Sequence, residues 1–415
     1  MNSIKAGAII VALILSAVAI PLAAENISGN NSTGTTAEPV FTDRNVIVYS
    51  DHAFASELRT YLLNYTSKVT NFEDAEPASA GDIAVFDWSW IVGNDVATID
   101  DVLRMMIGKG IPVIFTGKEN YLLEHSNIKL SVSANTIDEI AYCLYSHGGA
   151  DHYYSIGGKL ESAIRHAYTW ADKISSGDDP RLVTETISWI GQESKSIHQP
   201  EQLGYYMYLA SETILIGSVS YTCICDQYGT FTQSTMVYNL AYKSTAKQYF
   251  ALKTSQYGSP NADAGYRLAN IRLVADEMNG GSVLTYDPTT SGALSRGGVT
   301  VSYGASTSFP GIKMGVTHWW SYSPSDVSTH DNSSFAKELV DIAHCVDVTK
   351  DFGKGCLVHP EFLVSFPESK PSMQIDCHHS VNMCKETKSL MWDYYDEYSQ
   401  FEFEYSIVIH GTDKG

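Results

Sequence analysis

The sequence predicts an α+β fold: an N-terminal α/β domain of flavodoxin-like type, followed by a mostly antiparallel β-rich domain with one inserted helix. Two observations predict this fold. Residues from about 43 to 200 alternate apolar strand patterns with helical ones, and from about Gly204 the apolar period changes to two. Strand–helix alternation is typical of a parallel sheet covered by helices, whereas a period of two is typical of strands with one buried face.

The first half of the chain contains three predicted strands and four predicted helices. The strands are Asn45–Ser50, Gly81–Ile91 and Ile111–Gly117. Apolar residues recur at helical spacing at about 54–65, 102–107, 137–144 and 160–174. The segment Thr136-Ile-Asp-Glu139 matches a capping box, so it predicts the beginning of the third of these helices.

The second half is predicted to form long strands. In ILIGSVSYTCICD, Gly217 breaks the alternation, and Cys223 and Cys225 then fall on the same face. One face of QFEFEYSIVIHG is apolar throughout: Phe401, Phe403, Tyr405, Ile407 and Ile409. One inserted helix is predicted after a cap at Asn332–Ser334, with three apolar residues turned inward: Phe335, Leu339 and Ile342.

The N-terminus has the pattern of an export signal. A lysine precedes an apolar run from Ala6 to Ile20, and the small residues Ala23 and Ala24 follow. This pattern predicts a signal peptide at residues 1–24, because the run is short for a membrane anchor and the alanine pair favours cleavage. We therefore expect an extracellular protein with no membrane insertion after the signal is cleaved.

Residues 25–42 are predicted to form a Ser/Thr/Asn-rich linker. The two domains then occupy residues 43–200 and 201–415. Five Asn-x-Ser/Thr sequons provide possible N-glycosylation sites: Asn26, Asn30, Asn31, Asn64 and Asn332.

The composition argues against two classes of partner. The chain has 47 Asp and Glu against 27 Lys and Arg, a formal net charge of -20, without any block of like charge. A spread negative surface disfavours nucleic acid and anionic membranes. The 26 tyrosines and 7 tryptophans favour strands and contact surfaces, because each combines an apolar body with a polar tip.

Two loop motifs could carry chemistry, and each has a simpler structural interpretation. Ser50-Asp51-His52 follows the first strand, but neighbours in sequence do not form a catalytic triad, and a helix N-cap is favoured. His147-Gly-Gly-Ala-Asp151-His152 resembles metal ligands on a glycine loop, but no accompanying motif supplies further ligands.

Two further segments could also carry chemistry, and each again has a simpler structural interpretation. Cys377-His378-His379 with Cys384 could bind zinc, but disulfides are favoured in an exported chain. Asp87-Trp-Ser-Trp90 could form a platform for a sugar, but aromatic core residues at the end of a strand are favoured. The sequence therefore predicts no catalytic residue, no metal site and no cofactor.

The chain contains seven cysteines. Cys143 lies in the predicted third helix near its apolar face and is predicted to be a buried free thiol. The other six are disulfide candidates with fifteen possible pairings: Cys223, Cys225, Cys345, Cys356, Cys377 and Cys384. Cys223 and Cys225 point the same way on one strand and are poorly placed to bridge each other, so each is expected to reach a different partner. The bridges are either internal staples or, in part, links between molecules.

The whole chain resembles the sheath proteins of filamentous methanogenic archaea. The export signal, the Ser/Thr/Asn linker, the acidic surface with few lysines, the tyrosine-rich long strands and the surplus cysteines carry this resemblance. It implies a structural subunit that polymerises with copies of itself into stacked hoops around cells, with sheets continuing across subunit boundaries and disulfides locking the hoops. An N-terminal α/β half is not expected of a uniformly cross-β wall.

The predicted function is therefore self-assembly into an extracellular sheath or surface layer, not catalysis. Open strand edges would pair head to tail, and either the C-terminal strand or the hairpin containing Cys223 and Cys225 is expected at the contact. Two alternatives remain open. One is an exported carbohydrate-binding or adhesion module, suggested by His318-Trp319-Trp320, and the other is an exported hydrolase built on the α/β half.

Overall fold

A computed structural model provides the fold. It describes residues 44–75, 78–94, 96–118, 139–181, 185–190, 213–225, 227–240, 247–287, 299–309, 312–322, 327–346, 348, 356–358, 360–388 and 393–411. The predicted signal peptide, the linker and the sequons at Asn26, Asn30 and Asn31 lie outside these residues.

The described residues form four α-helices and twenty strands. The helices are α1 His52–Tyr61, α2 Trp88–Gly93, α3 Val96–Gly108 and α4 Leu160–Ser175. The first ten strands are β1 Asn45–Tyr49, β2 Lys68–Asn71, β3 Ile83–Asp87, β4 Val113–Lys118, β5 Glu139–His147, β6 Ala150–Gly158, β7 Glu185–Ile190, β8 Thr213–Cys225, β9 Gly229–Leu240 and β10 Lys247–Pro260. The others are β11 Tyr266–Asn279, β12 Ser282–Asp287, β13 Val299–Phe309, β14 Ile312–Tyr322, β15 Val327–Asp331, β16 Val340–Val346, β17 Cys356–Val358, β18 Glu361–Pro367, β19 Ser372–Lys388 and β20 Asp393–His410.

Two sheets contain most of the strands. The large sheet has twelve strands in the order β12-β18-β10-β9-β8-β6-β5-β4-β3-β1-β2, with β17 beside β10. The small sheet has six strands in the order β15-β16-β11-β19-β20-β7. A separate hairpin joins β13 to β14. Strands β1 to β4 are mutually parallel, and from β5 onward the large sheet is antiparallel.

The two sheets pack face to face around one core. Tyr221 of β8 stacks on Phe403 of β20 with ring centroids 4.5 Å apart. At Gly258 of β10, a Cβ would lie 2.8 Å from Leu268 and 3.0 Å from Val381, so a glycine permits the close approach of β11 and β19. Helices α1 and α4 cover the same face of the large sheet next to the small sheet, and α2 and α3 cover its opposite face.

The predicted flavodoxin-like domain is wrong. A domain of that type would close its own parallel sheet with helices, but here β5 pairs antiparallel with β4. β6 then pairs with β8 along eight residues, so the hydrogen-bonded sheet crosses the predicted boundary at residue 200. The protein is mostly β, and its parallel strands form one end of a large mixed sheet.

Two predicted helices are strands, for two different reasons. The third predicted helix is β5, where Ala141 to Tyr145 are all buried. A short run buried on both faces has no period of two, so its pattern does not separate a strand from a helix. The inserted helix is a 3₁₀ turn at Phe335–Lys337 followed by β16. Every second residue of β16 from Val340 to Val346 is buried, which is the spacing of a strand. The spacing of Phe335, Leu339 and Ile342 also fits a helix.

The predicted strand Gly81–Ile91 is too long, because β3 ends at Asp87 and α2 begins at Trp88. The other strand and helix predictions that fall on described residues agree closely with the structure. Asp51 caps α1, because its carboxylate accepts a hydrogen bond from the Phe54 amide at 2.8 Å. α4 occupies Leu160–Ser175, close to its predicted extent. The register of β8 shifts between Leu215 and Gly217, as the interrupted alternation predicts. All five residues predicted on the apolar face of β20 are buried.

Candidate functional site

The TCIC segment lies at the end of β8, in the middle of the large sheet. Cys223 is opposite His152 on β6 and Phe231 on β9. Its thiol is fully buried in the core, whereas Cys225, two residues further along the same face, is half-buried where β8 turns into β9. The predicted shared face is correct, but the two thiols differ in access to solvent.

The surroundings of Cys223 keep its thiol protonated. Burial raises the pKa of Cys223 to about 12. Burial also lowers the pKa of His152 to about 4, so this histidine is a neutral hydrogen-bonding partner of the Tyr221 hydroxyl, 2.8 Å from its Nδ1. Arg181, which also interacts electrostatically with Cys223, is held by Asp179 through hydrogen bonds of 2.6 to 3.2 Å. Because the thiolate is the reactive form, burial keeps the Cys223 thiol in its less reactive form in the folded protein.

None of the seven cysteines forms a disulfide in the structure. Five are buried and two are half-buried, Cys225 and Cys345. Cys143 is buried as predicted, but on β5 and not on a helix. No described strand pairing places two cysteines directly opposite each other, since their cross-strand neighbours are residues such as Asn270 for Cys345 and Ala275 for Cys377. The disulfide pairings stay a prediction.

Side chains occupy both ends of the large sheet. At β2, the Nε of Arg59 donates a hydrogen bond to the carbonyl of Val69 at 2.9 Å. At β12, the amide of Val283 donates to the carboxylate of Glu338 at 2.5 Å. Glu338 adopts the left-handed conformation with φ 51°, which a glutamate rarely adopts. Such caps reduce the pairing of an edge strand with another chain.

The small sheet ends differently. Within the described residues, β7 pairs with β20 alone and β15 pairs with β16 alone. Neither ETISWI nor VSTHD contains a lysine, an arginine or a proline, the residues that usually protect an edge. Ile190 on β7 is also half exposed. The small sheet therefore offers two different edges to a neighbouring chain.

The two strands considered for a contact between subunits differ in how far their neighbours cover them. β20 lies between β19 and β7, and β8 lies between β6 and β9. The end of β8 that contains Cys223 and Cys225 is paired on both sides, so it provides no free edge. β19 pairs along the whole of β20, but β7 pairs only with Tyr405–His410, so within the described residues Asp393–Glu404 hydrogen-bond to one neighbouring strand. A contact at the C-terminal strand stays a prediction.

The structure does not bring the other candidate residues together for catalysis. Asp51 is a helix cap, and His52 is exposed, 3.5 Å from Glu73. His147 is exposed on the β5–β6 turn, and His152 is buried. His378 and His379 point to opposite faces of β19, so they cannot converge on one ion. Among the residues that the structure describes, no group of three or more His, Cys, Asp or Glu could hold a metal.

The aromatic and sequon predictions fall into three groups. Trp88 is buried and Trp90 packs edge-on against Tyr49, so the Asp87–Trp90 segment belongs to the core. Asn64 and Asn332 are both exposed, and their glycosylation stays a prediction. His318-Trp319-Trp320 lies on β14, and its side chains lie outside the described residues.

No helix in the described ranges is long and apolar enough to cross a membrane.

Sequence patterns missed a set of buried polar contacts between the layers. The Tyr405 hydroxyl lies 2.5 Å from Thr235 Oγ1 on the large sheet and 2.8 Å from His379 Nε2 on the small sheet. The Tyr154 hydroxyl donates to Glu185 at 2.8 Å, and Glu185 is fully buried. The one available signal was position, because Glu185 and Tyr405 occupy inward positions in their alternating segments.

Comparisons with known proteins give little. No family model matches this chain, and no curated protein matches it. Clostridium perfringens delta-toxin superposes with a TM-score of 0.27 at 9% identity, covering 48% of this chain and 94% of the toxin. The Clostridium perfringens NetB toxin in its membrane-inserted form gives 0.25 at 7% identity, covering 46% and 99%. The collagen-binding domain of a Staphylococcus aureus adhesin gives 0.19 at 9% identity, covering 40% and 89%. Similarities this low carry no argument about fold or function.

Proposed function

We propose that this chain is an exported structural subunit that assembles with copies of itself into an extracellular layer of sheath or surface-layer type. Three features support the proposal: the mostly β fold, the acidic composition rich in tyrosine, and the contrast between the two pairs of sheet edges. The contrast between the edges of the two sheets is the main support for self-assembly.

The edge strands of the large sheet are bound by side chains, whereas those of the small sheet are more open. Arg59 and Glu338 bind backbone groups at the two ends of the large sheet. β7 and β15, in the part of the chain that the structure describes, hydrogen-bond on one side each. An edge with open N–H and C=O groups is a template for a strand from another chain, with the backbone supplying the affinity. We therefore infer that subunits meet at the edges of the small sheet.

The two open edges belong to different strands at opposite ends of the same sheet. A contact between β7 of one subunit and β15 of the next is therefore head to tail. Such contacts form rings when the rotation closes and filaments when it does not, whereas a twofold contact would stop at a dimer. A wall of hoops requires contacts of this kind.

The first test changes the exposed apolar residue on β7. Ile190→Lys places a charge at the edge and should leave the protein monomeric, because lysine opposes strand addition. The matched control is Leu63→Lys, since Leu63 is 68% exposed and lies in the turn after α1, outside β7 and β15. Light scattering and negative-stain microscopy measure assembly of the two variants and the wild type.

The expected result is that wild type and Leu63→Lys form polymers and Ile190→Lys does not. A wild-type protein that stays monomeric at every concentration would rule out the function. Polymers of Ile190→Lys identical to those of wild type would rule out the β7 edge as the contact.

A further inference from the structure

Glu185 has an unusual position for a carboxylate. It is the first residue of β7, yet its side chain points into the core and is 3% exposed. Its Oε2 accepts the hydrogen bond from the Tyr154 hydroxyl, and its Oε1 has no hydrogen-bond partner among the residues that the structure describes. A buried carboxylate with an unpaired oxygen is costly when it is charged and much less costly when it is protonated.

The titratable groups around Glu185 come from four elements. Tyr154 lies on β6 and Cys143 on β5, and burial raises the pKa of both. From α4, His166 Nδ1 lies 4.0 Å from Oε2, and burial lowers the pKa of His166 to about 4, while Lys173 supplies a positive charge. Tyr405 pairs with Glu185 across β20 and β7, and burial raises its pKa as well.

Glu185 is therefore the group of this set that changes charge close to neutral pH. Burial raises its pKa from 4.5 to about 7, while the charge of Lys173 and the hydroxyl of Tyr154 act in the opposite direction. The histidine is already neutral there, and the tyrosines and the thiol are still protonated.

The rest of β7 is held by apolar contacts and backbone pairing. Ile187 is fully buried, and Trp189 donates from Nε1 to the carbonyl of Gly157 at 3.2 Å. Glu185 lies at the opposite end of this strand from the exposed Ile190. A negative charge at Glu185 thus acts on one end of a strand that is a sheet edge.

We propose that ionisation of Glu185 loosens β7 from the body of the protein, so that this edge is docked in mildly acidic solution and loosened in alkaline solution. A role for this change in gating assembly rests on the proposed function, whereas the loosening itself does not. Because the docked strand holds the proton more tightly than the released strand, docking weakens as pH rises from 4.5 through 7. A shift from 4.5 to about 7 weakens it by up to about 300-fold.

Hydrogen exchange on the monomeric protein tests the proposal. Peptides covering residues 185–190 are followed at pH 5.5 and 7.5 by mass spectrometry, with rates corrected for intrinsic exchange. Peptides from β16, in the same sheet, are the internal control. In wild type, protection of β7 should fall about 20-fold more than protection of β16, and Glu185→Gln, which cannot ionise, should remove that difference. His410, which pairs with Ile190, is present in both proteins and cancels in the comparison.

A second variant increases the effect. Tyr154→Phe removes the donor that favours the charged carboxylate, so the pKa of Glu185 in the docked strand rises further and the loosening should become larger and continue to higher pH. Equal pH dependence in wild type and Glu185→Gln would overturn the inference, and so would a shift to lower pH in Tyr154→Phe. Loosening of β7 in a protein that never polymerises would contradict the proposed function alone. Polymers with no pH dependence at β7 would contradict this inference alone.

Discussion

At the scale of single residues, polar groups inside the protein join its two layers. The Tyr405 hydroxyl contacts Thr235 on one sheet and His379 on the other. These groups lie where the alternating pattern predicts apolar side chains, and each hydrogen bond compensates for the cost of burying a polar atom. The pattern of apolar residues locates the core correctly, but it does not show which core residues hold the sheets together by hydrogen bonds.

Three buried histidines are expected to make the protein sensitive to acid. Burial lowers the pKa of His152 and His166 to about 4 and that of His379 to about 3. A histidine protonated when unfolded but neutral when folded lowers stability as pH falls below 6.5. The loss at pH 5 is about 2 kcal/mol for each. Glu185 acts in the opposite direction, because its raised pKa lowers the free energy of unfolding as pH rises from 4.5 through 7. Lowering the pH from 7 to 5 therefore raises the contribution of Glu185 to the free energy of unfolding by about 2 kcal/mol.

Urea unfolding at pH 7 and pH 5 measures this difference. His379→Gln should reduce the change in the free energy of unfolding between the two pH values by about 2 kcal/mol. His52→Gln is the matched control and should leave the change as it is, since the side chain of His52 is 74% exposed. Equal effects of the two variants would contradict the assignment of acid sensitivity to buried histidines.

At the scale of elements, β7 and β8 pack closely because β8 has a glycine, Gly217, where the indole ring of Trp189 on β7 lies. A Cβ at Gly217 would lie 2.0 and 2.1 Å from ring atoms of Trp189 on β7. The register of β8 shifts between Leu215 and Gly217. The sequence pattern marks this break in alternation, but the indole ring that requires it comes from another segment of the chain.

Gly217→Ala is expected to destabilise the protein by about 2 kcal/mol, because the added methyl group must displace a packed indole ring. Thermal or urea unfolding measures the effect. Gly108→Ala is the control, since no atom of the described part of the chain lies within 4 Å of its Cβ position at the end of α3 and alanine favours the helix. Its stability should be unchanged or up to about 1 kcal/mol higher. Similar losses in both variants would show that the contact with Trp189 is not the cause.

At the scale of the whole molecule, burial restricts the chemistry that can join subunits. Of the seven thiols, only Cys225 and Cys345 are half-buried, and they belong to different sheets. The others are inside the core, where burial raises the pKa of Cys356, for example, to about 12. Any disulfide between folded subunits is therefore expected to use Cys225 or Cys345.

Non-reducing gel electrophoresis of the assembled protein tests this expectation. A ladder of disulfide-linked species should disappear in the double variant Cys225→Ser/Cys345→Ser. It should persist in Cys356→Ser, because that residue is 3% exposed. A ladder that survives the double variant would show that a core thiol becomes accessible during assembly.

Much of the local structure could be predicted. α1, α4 and β20 have an apolar face, and α1 has a clear cap, so their patterns are unambiguous. β5 was misassigned because it is buried on both faces, and the helix predicted before β16 was misassigned because its apolar spacing fits two periods. The candidate site is less predictable, since the hairpin containing Cys223 and Cys225 was one of two strands considered for an edge and lies in the middle of the large sheet.

The sequence by itself determined which face of most elements is buried, the acidic surface and the shared face of Cys223 and Cys225, because these depend on residue type and on spacing along one segment. Only the tertiary structure decided which strands lie side by side, which thiols remain accessible, and that Glu185 is enclosed between β6 and α4. The physical reason is that hydrogen bonds between strands join residues far apart in the chain. Glu185, for example, pairs with Tyr405, 220 positions later. Local periodicity encodes burial, but it does not encode the identity of the neighbouring strand.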